Sequence, residues 1–302
     1  MKIAKRNIRL KNINQKLHQS IESNQEPDTP YDRRKLSYAN TFTNPVQRNT
    51  IKTLELLTGK LRLLRKVRQF EKMGIPIGQP FWKQALDLLG ISLLTKQSEI
   101  EKIPKKGSLV ITANHPHGLV DGMVLAELIG KVRTDYKILT RSLLTGVKQI
   151  DQFMIPVPFD HEENSLKKSL EMRKSAMEHL EKGGVIVIFP SGKVASSETM
   201  FGNVVEGDWN PFTAKLIQKS GANVLPIYFP GSNSRLYQIA NQISATLRQG
   251  LLIYEVVHAM NKPQSPLVGS LITQDEIAVW KSDPRGFMRW LREQTLALGY
   301  KT

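Results

Sequence analysis

The apolar positions of this chain follow two different rhythms. Between Gln47 and Met73 they recur every three or four residues, so Ile51, Leu54, Leu57, Leu61, Leu64 and Val67 share one face of a predicted helix. Lys52, Lys60, Arg62, Arg65, Lys66, Arg68 and Lys72 crowd the remaining surface of that helix. A Gly/Pro segment, "GIPIGQP", then leads into a second apolar helix expected over Phe81–Leu94. From about residue 100 onward, short apolar runs alternate with helical patterns, which predicts an α/β domain. The expected strands are Leu109–Thr112, Tyr136–Thr140, Ile155–Val157, Val185–Phe189, Asn223–Phe229 and Leu251–Val257. Helices are expected at 122–130, 165–181, 211–220, 235–248 and roughly 284–298, the last packing Phe287, Trp290 and Leu291 on the body. Asn210 and Pro211 have the chemistry that caps and opens a helix, and Gly221 the chemistry that closes one. Residues 1–47 are polar and read as a largely irregular tail, with a short helix over 3–20 as its one regular piece. The chain thus divides into a basic tail (1–47), an amphipathic helical segment (48–98) and an α/β domain (99–302).

Charge sharpens that division. Residues 1–72 hold 17 Lys/Arg and 6 Asp/Glu, a net of +11, whereas residues 73–302 hold 26 and 21, a net of +5. Most of the overall +16 therefore sits in the N-terminal quarter. An anionic partner fits it: nucleic acid, acidic lipid or an acidic carrier protein; a merely solvated basic tail is the plain alternative. The helix at 47–73 has the same two readings, packing its stripe on the domain or lying in an anionic membrane interface. With no cysteine, disulfides, thiolate metal sites and cysteine nucleophiles are excluded. No apolar run reaches the roughly 20 residues that span a bilayer, and "MKIAKRNIRLKNINQKLHQS" lacks the apolar centre of a secretory signal, so a cytoplasmic location is expected.

The densest chemistry is "ITANHPHGLVDG", which follows a predicted strand and precedes a predicted helix, where α/β folds place ligands. From spacing alone three readings stand. His115, His117 and Asp121 form a metal-ligand set; but the later histidines, His161, His179 and His258, have no motif-like setting to complete one. Asp121 is a helix N-cap beside two turn histidines around Pro116. Or an aspartate orients an imidazole whose other nitrogen takes a proton from an attacking alcohol or amine. The second block is "FPSGK", Phe189–Lys193. A Walker A reading of it fails, because no glycine stands five positions before Gly192 and no Ser/Thr follows Lys193. Ser191 lacks the GxSxG elbow of a serine hydrolase and reads plainly as a turn residue.

Taken in order, "ANHPHGLVDG", "YKILTRSLL", "MIPVPF", "VIVIFPSGKVAS" and "GDWNPFTAKLIQKSGANVLPIYFPGSNSRLY" resemble the glycerophosphate/lysophospholipid acyltransferase superfamily. The likeness is strongest to its hemolysin-labelled branch, which includes the acyltransferases of ornithine-lipid assembly, and it spans about residues 85–275. That resemblance implies a glycerolipid-acyltransferase-like fold, with His115 as catalytic base and Asp121 as its orienting acid. Five residues separate the two, as in the branch pattern HPxGxxDG, where most of the superfamily has four. Asn114 and Gly118 would shape the loop, with His117 in a secondary place. Phe189, Pro190, Ser191, Gly192 and Lys193 replace the superfamily's FPEGTR, the block thought to meet the acceptor's phosphate or headgroup. The missing arginine speaks against glycerol-3-phosphate, while Lys193 can still meet a phosphate as a point charge. Arg141 and Arg235 are further substrate-side candidates, each with a surface or capping alternative.

The resemblance implies a peripheral enzyme on the inner face of the cell membrane. It would move a fatty acyl group from acyl carrier protein or acyl-CoA to a hydroxyl or amine of a lyso-lipid. No metal, no cofactor beyond that thioester co-substrate, and no nucleic acid are expected. The competing reading is a non-catalytic basic protein on the same fold, binding membrane or nucleic acid.

Overall fold

The computed structural model describes residues 36–141, 147–158 and 164–300; the expected helix at 3–20 and the tail up to residue 35 lie outside them. In chain order the helices are α1 (Pro45–Glu55), α2 (Leu61–Lys72), α3 (Pro80–Leu89), α4 (Gln97–Ile100), α5 (Leu119–Gly130), α6 (Ser165–Glu181) and α7 (Pro211–Ser220). They continue with α8 (Arg235–Ile243), α9 (Ala245–Gly250), α10 (Leu252–Ala259), α11 (Gln274–Ala278) and α12 (Pro284–Ala297). The strands are β1 (Leu109–Ala113), β2 (Tyr136–Thr140), β3 (Met154–Pro156), β4 (Val185–Ile188), β5 (Asn223–Tyr228) and β6 (Leu267–Val268).

They form one six-stranded sheet in the order β3-β2-β4-β1-β5-β6. All neighbours run parallel except the edge pair β5–β6, which is antiparallel. This is the expected mixed, mostly parallel sheet. Its inner strands β1 and β4 are buried along their whole length and mostly apolar because helices cover both faces. Val110, Ile186 and Val224 are register neighbours on one face, packed with Met172, Ala176 and Leu180 of α6, Ala214 and Ile217 of α7, and Phe287 and Leu291 of α12. Strand alternation turns Ile111, Val187 and Leu225 to the opposite face. There α5, almost wholly apolar, packs against β2, α3 and α10. The central strand β1 ends between the carboxyl ends of β4 and β5, so whatever follows Ala113 emerges in a crevice between two parallel neighbours.

Three expectations need correction. Leu251–Val257 is helical, not a strand: Leu252–Ala259 forms α10. Its run of branched residues suits either state by periodicity alone. In the helix Glu255 is buried, and its carboxylate accepts from Ser234 N–H and hydroxyl at the start of α8. The sheet takes its sixth strand from Leu267–Val268 instead. The single helix expected at 235–248 breaks at Ser244, whose extended backbone starts α9 and whose hydroxyl caps Thr246 N–H. The helix expected over Phe81–Leu94 stops at Leu89, with left-handed Gly90 as its cap.

The long helix at 47–73 is also interrupted. Gly59 has φ of 136°, between α1 and α2, and a Cβ there would lie 3.0 Å from Val257 of α10. Glycine both permits that backbone and lets α10 come close. The predicted stripe divides accordingly. Ile51 is buried, whereas Leu57 is 78% and Leu61 52% exposed at the break, beside exposed Lys52, Arg62, Arg65 and Arg68.

Of the expected tail, the described part (36–47) has a fixed place. Leu36, Ser37, Tyr38 and Ala39 are buried, and the buried carboxylate of Glu55 gathers Ser37 Oγ at 2.7 Å, Tyr38 N–H at 2.8 Å and Lys60 Nζ at 2.8 Å. Removing one member of a buried ion pair leaves the other uncompensated. Glu55→Ala should therefore lower stability by about 3 kcal/mol, read as a lower urea midpoint at unchanged m-value. A midpoint within experimental error of the parent would show the clasp to be inconsequential.

Candidate active site

The crevice is organised by Asn114, the first residue beyond β1. Its side-chain amide donates to Phe229 O at 2.9 Å and accepts from Phe229 N–H at 2.7 Å, extending the β1–β5 ladder by one rung. This fixes the exit direction of the next residue, His115. Two contacts from the segment after β4 hold the His115 backbone: Ala195 N–H donates to His115 O at 2.8 Å, and His115 N–H donates to the Glu206 carboxylate at 3.0 Å. The imidazole stacks on Phe189, with ring centroids 3.9 Å apart and planes inclined by 20°. Two expected site residues, 74 positions apart in sequence, therefore pack face to face.

The chain reverses at Gly118, with φ of 67°, and starts α5 at Leu119. A Cβ at Gly118 would lie 3.4 Å from Val194, so this loop packs directly on the segment that follows "FPSGK". In the first turn of the helix lies Asp121, fully buried at 0% exposure. Its Oδ2 is 2.9 Å from His115 Nδ1 and also accepts from His117 N–H at 2.8 Å, while Oδ1 is 2.9 Å from His117 Nδ1. Both rings therefore present N–H at Nδ1 to one carboxylate, and the lone pair of a neutral His115 falls on Nε2. Burial alone would push the Asp121 carboxyl up; His117 and His115 outweigh it and hold it below the usual aspartate range. The carboxylate also lies in the first turn of α5, at the positive end of the helix, which favours its charged form. The His115 side chain is 17% exposed, part buried yet reachable. Among the described residues, no group of three or more His, Asp or Glu side chains is arranged to hold a metal ion.

The remaining sequence candidates are not all drawn to this pair. Pro190 is buried, and its carbonyl receives Asn210 N–H at 2.9 Å just before α7. Gly192 N–H closes a turn onto Phe189 O at 2.9 Å, and the Ser191 hydroxyl donates to Lys193 O at 2.9 Å, as a turn serine does. Lys193 is exposed, its chain running so close to Gly207 that a Cβ there would meet Lys193 Cε at 2.7 Å. Arg141 is exposed at the end of β2. Arg235 donates to Gly202 O at 2.8 Å, tying α8 to a small hairpin stitched between Ser196 and Val205.

Glu206 escaped the sequence reading. Besides His115 N–H, its carboxylate accepts from Trp209 Nε1 at 3.0 Å, and Arg292 of α12 donates to the carbonyls of Glu206 and Gly207. Glu206 stands just before the quoted "GDWNP" block, and nothing local joins it to a histidine 91 residues away.

Comparison with known proteins gives four likenesses. Residues 79–264, more than half of the chain, match the family described as Acyltransferase. A lyso-glycine lipid O-acyltransferase of Bacteroides thetaiotaomicron is 25% identical over 178 residues, covering 55% of this chain and 62% of the relative. A protein of the same description from Phocaeicola vulgatus is 25% identical over 169 residues, covering 55% of this chain and 57% of the relative. The chain thus spans about three fifths of the length of these curated relatives. The crystal structure of the 1-acyl-sn-glycerophosphate acyltransferase from Thermotoga maritima aligns over 89% of this chain and 97% of its own, at 17% identity and a TM-score of 0.48.

Proposed function

This chain belongs to the acyltransferase family, and on that premise we propose that it acylates the hydroxyl of a lyso-lipid at a membrane surface. The acyl group would come from a thioester, acyl carrier protein or acyl-CoA. The observation that carries the reading is the 2.9 Å contact between His115 Nδ1 and buried Asp121. It commits Nδ1 as donor and leaves Nε2 as the base.

The step follows from that geometry. The acceptor O–H attacks the thioester carbonyl carbon, and its proton passes to His115 Nε2 as the C–O bond forms. The tetrahedral intermediate collapses by breaking the C–S bond. The thiolate takes the proton back from the imidazolium, and the products are an ester and a free thiol. Asp121 stabilises the transient imidazolium and fixes the tautomer. In this step the acceptor attacks directly and no protein nucleophile is required.

A hydroxyl acceptor on an amino-acid lipid is favoured over an amine by the two relatives described as lyso-glycine lipid O-acyltransferases. Surface action is supported by Leu57 and Leu61, both more than half exposed among the arginines of α2. Leucine partitions into the interface, and each nearby basic side chain adds about 1 kcal/mol on an anionic surface. No described helix is long and apolar enough to cross a membrane.

The reading is tested by supplying the purified chain with acyl thioester and lyso-glycine lipid and following diacylated product by mass spectrometry. Failure with both donors, against a panel of lyso-lipids, would overturn it. Separately, the double change Leu57→Asp, Leu61→Asp should weaken sedimentation with anionic vesicles at least tenfold, since about 1.5–3 kcal/mol of burial is lost per leucine. Undiminished binding would place the membrane contact elsewhere.

A further inference from the structure

Helix α6 carries two leucines that the described chain leaves uncovered. Met172, Ala176 and Leu180 turn the helix onto the sheet, yet Leu166 is 75% and Leu170 56% exposed. Four residues apart, these two share one side of the helix, and Arg173 continues it. The Arg173 guanidinium lies 5.1 Å over the ring of Phe212, in the first turn of α7. The surroundings of the leucines are basic: residues 165–174 hold four Lys/Arg and one Glu, with Lys167 and Lys174 exposed.

This flank stands on the rim that carries the site. β3 and β4 run in the same direction, so α6, which connects them, starts at the carboxyl edge of the sheet, where His115 and Phe189 emerge. Short contacts lead inward from it. Phe212 follows the cap Asn210, whose N–H donates to Pro190 O at 2.9 Å, and the neighbouring Phe189 stacks on His115. The flank is also turned away from α2. Helices α6, α7 and α12 cover one face of the sheet, whereas α2 packs on α3 and α10, which lie with α5 on the other. A chain that meets lipid through α2 thus keeps α6 on its aqueous side.

We propose that this flank of α6 is the docking surface for an acyl carrier protein, which presents its thioester to His115. The inference rests on the acyl-transfer reading and names the donor for it. A soluble carrier must approach the rim from the side that lipid does not take, and of the two sheet faces that is the α6 face. Acyl carrier proteins are acidic, so Lys167 and Lys174 steer the encounter, while Leu166 and Leu170 supply an apolar centre that excludes water once contact is made. A coenzyme A thioester brings a nucleotide and no protein surface, and exposed leucines offer it nothing.

The test compares palmitoyl-acyl carrier protein with palmitoyl-CoA, using the full chain and one lyso-lipid. In the double change Leu166→Glu, Leu170→Glu, kcat/KM with the carrier thioester should fall roughly tenfold or more, through KM, and stay within about twofold of the parent with the CoA thioester. The melting curve should be parent-like, because both side chains are exposed. Added salt should slow the parent with the carrier thioester, and Lys167→Glu, Lys174→Glu should flatten that dependence. A parent-like kcat/KM with the carrier thioester in the leucine variant would overturn the proposal. Equal losses with both donors would overturn it too, as would weakened sedimentation with anionic vesicles, which would make the flank a lipid contact. A parent that uses palmitoyl-CoA alone would refute the docking surface while acyl transfer itself stands. Fluorescence anisotropy with labelled, unacylated holo-carrier protein needs no turnover, so it decides the question even if the acyl-transfer reading fails. The leucine variant should bind roughly tenfold more weakly than the parent; equal binding, or none by the parent, would contradict the inference.

Discussion

His115→Ala is expected to lower kcat for acyl transfer roughly 10³-fold, within the range a positioned general base supplies. KM for the thioester should change much less, because the loss falls on proton transfer. The fold should survive. His115 contributes one side-chain hydrogen bond and one ring stack, whereas its backbone, held by Ala195 and Glu206, is untouched by the substitution. Far-ultraviolet circular dichroism and a parent-like melting curve would establish that the loss is chemical. Retention of more than a few per cent of activity in a folded variant would remove His115 from the role of base.

Asp121→Asn is expected to produce a loss of similar size by another route. The carboxylate accepts three hydrogen bonds, from His115 Nδ1, His117 Nδ1 and His117 N–H. An amide can accept through one atom only, so its NH₂ must face at least one ring nitrogen. If that ring is His115, the tautomer reverses: Nδ1 becomes the acceptor and Nε2 carries the hydrogen. A ring in that state cannot take a proton from the acceptor hydroxyl, and loss of orientation and charge at such a position costs roughly 10³–10⁴ in kcat. Stability should fall as well, because the group is fully buried among donors that lose an acceptor. Steady-state kinetics alongside thermal denaturation separates the two effects. Full activity in Asp121→Asn would mean that the carboxylate merely caps α5.

These losses concern a site whose outline was readable in the sequence because its main parts are local. His115, Gly118 and Asp121 lie within one loop and the first turn of one helix, so spacing was enough to suggest that they meet. The inner strands were equally legible. Val185–Ile188 and Leu109–Ala113 are short, mostly apolar runs rich in branched residues and buried throughout, which is how a parallel strand reads. Reading failed where the deciding contact is distant. The segment after Gly250 has the composition of a strand, and its helix is tied in by contacts distant in sequence: Ser234 N–H donates to Glu255, and Gly59 passes close to Val257. Glu206 was missed for the same reason. Its grip on His115 N–H spans 91 residues and follows no periodicity. Arg235, a substrate-side candidate in the sequence, donates to a hairpin carbonyl, a contact that no local pattern announced.

The most direct measurement compares thiol release from one acyl thioester with two acceptors, a lyso-lipid bearing a free hydroxyl and the same lipid with that hydroxyl methylated. The hydroxyl lipid should yield one thiol per ester formed, and the methylated lipid should yield neither product. Equal thiol release with both would show that water accepts the acyl group. The His115–Asp121 pair would then serve a hydrolase, and acyl transfer to a lipid hydroxyl would be ruled out.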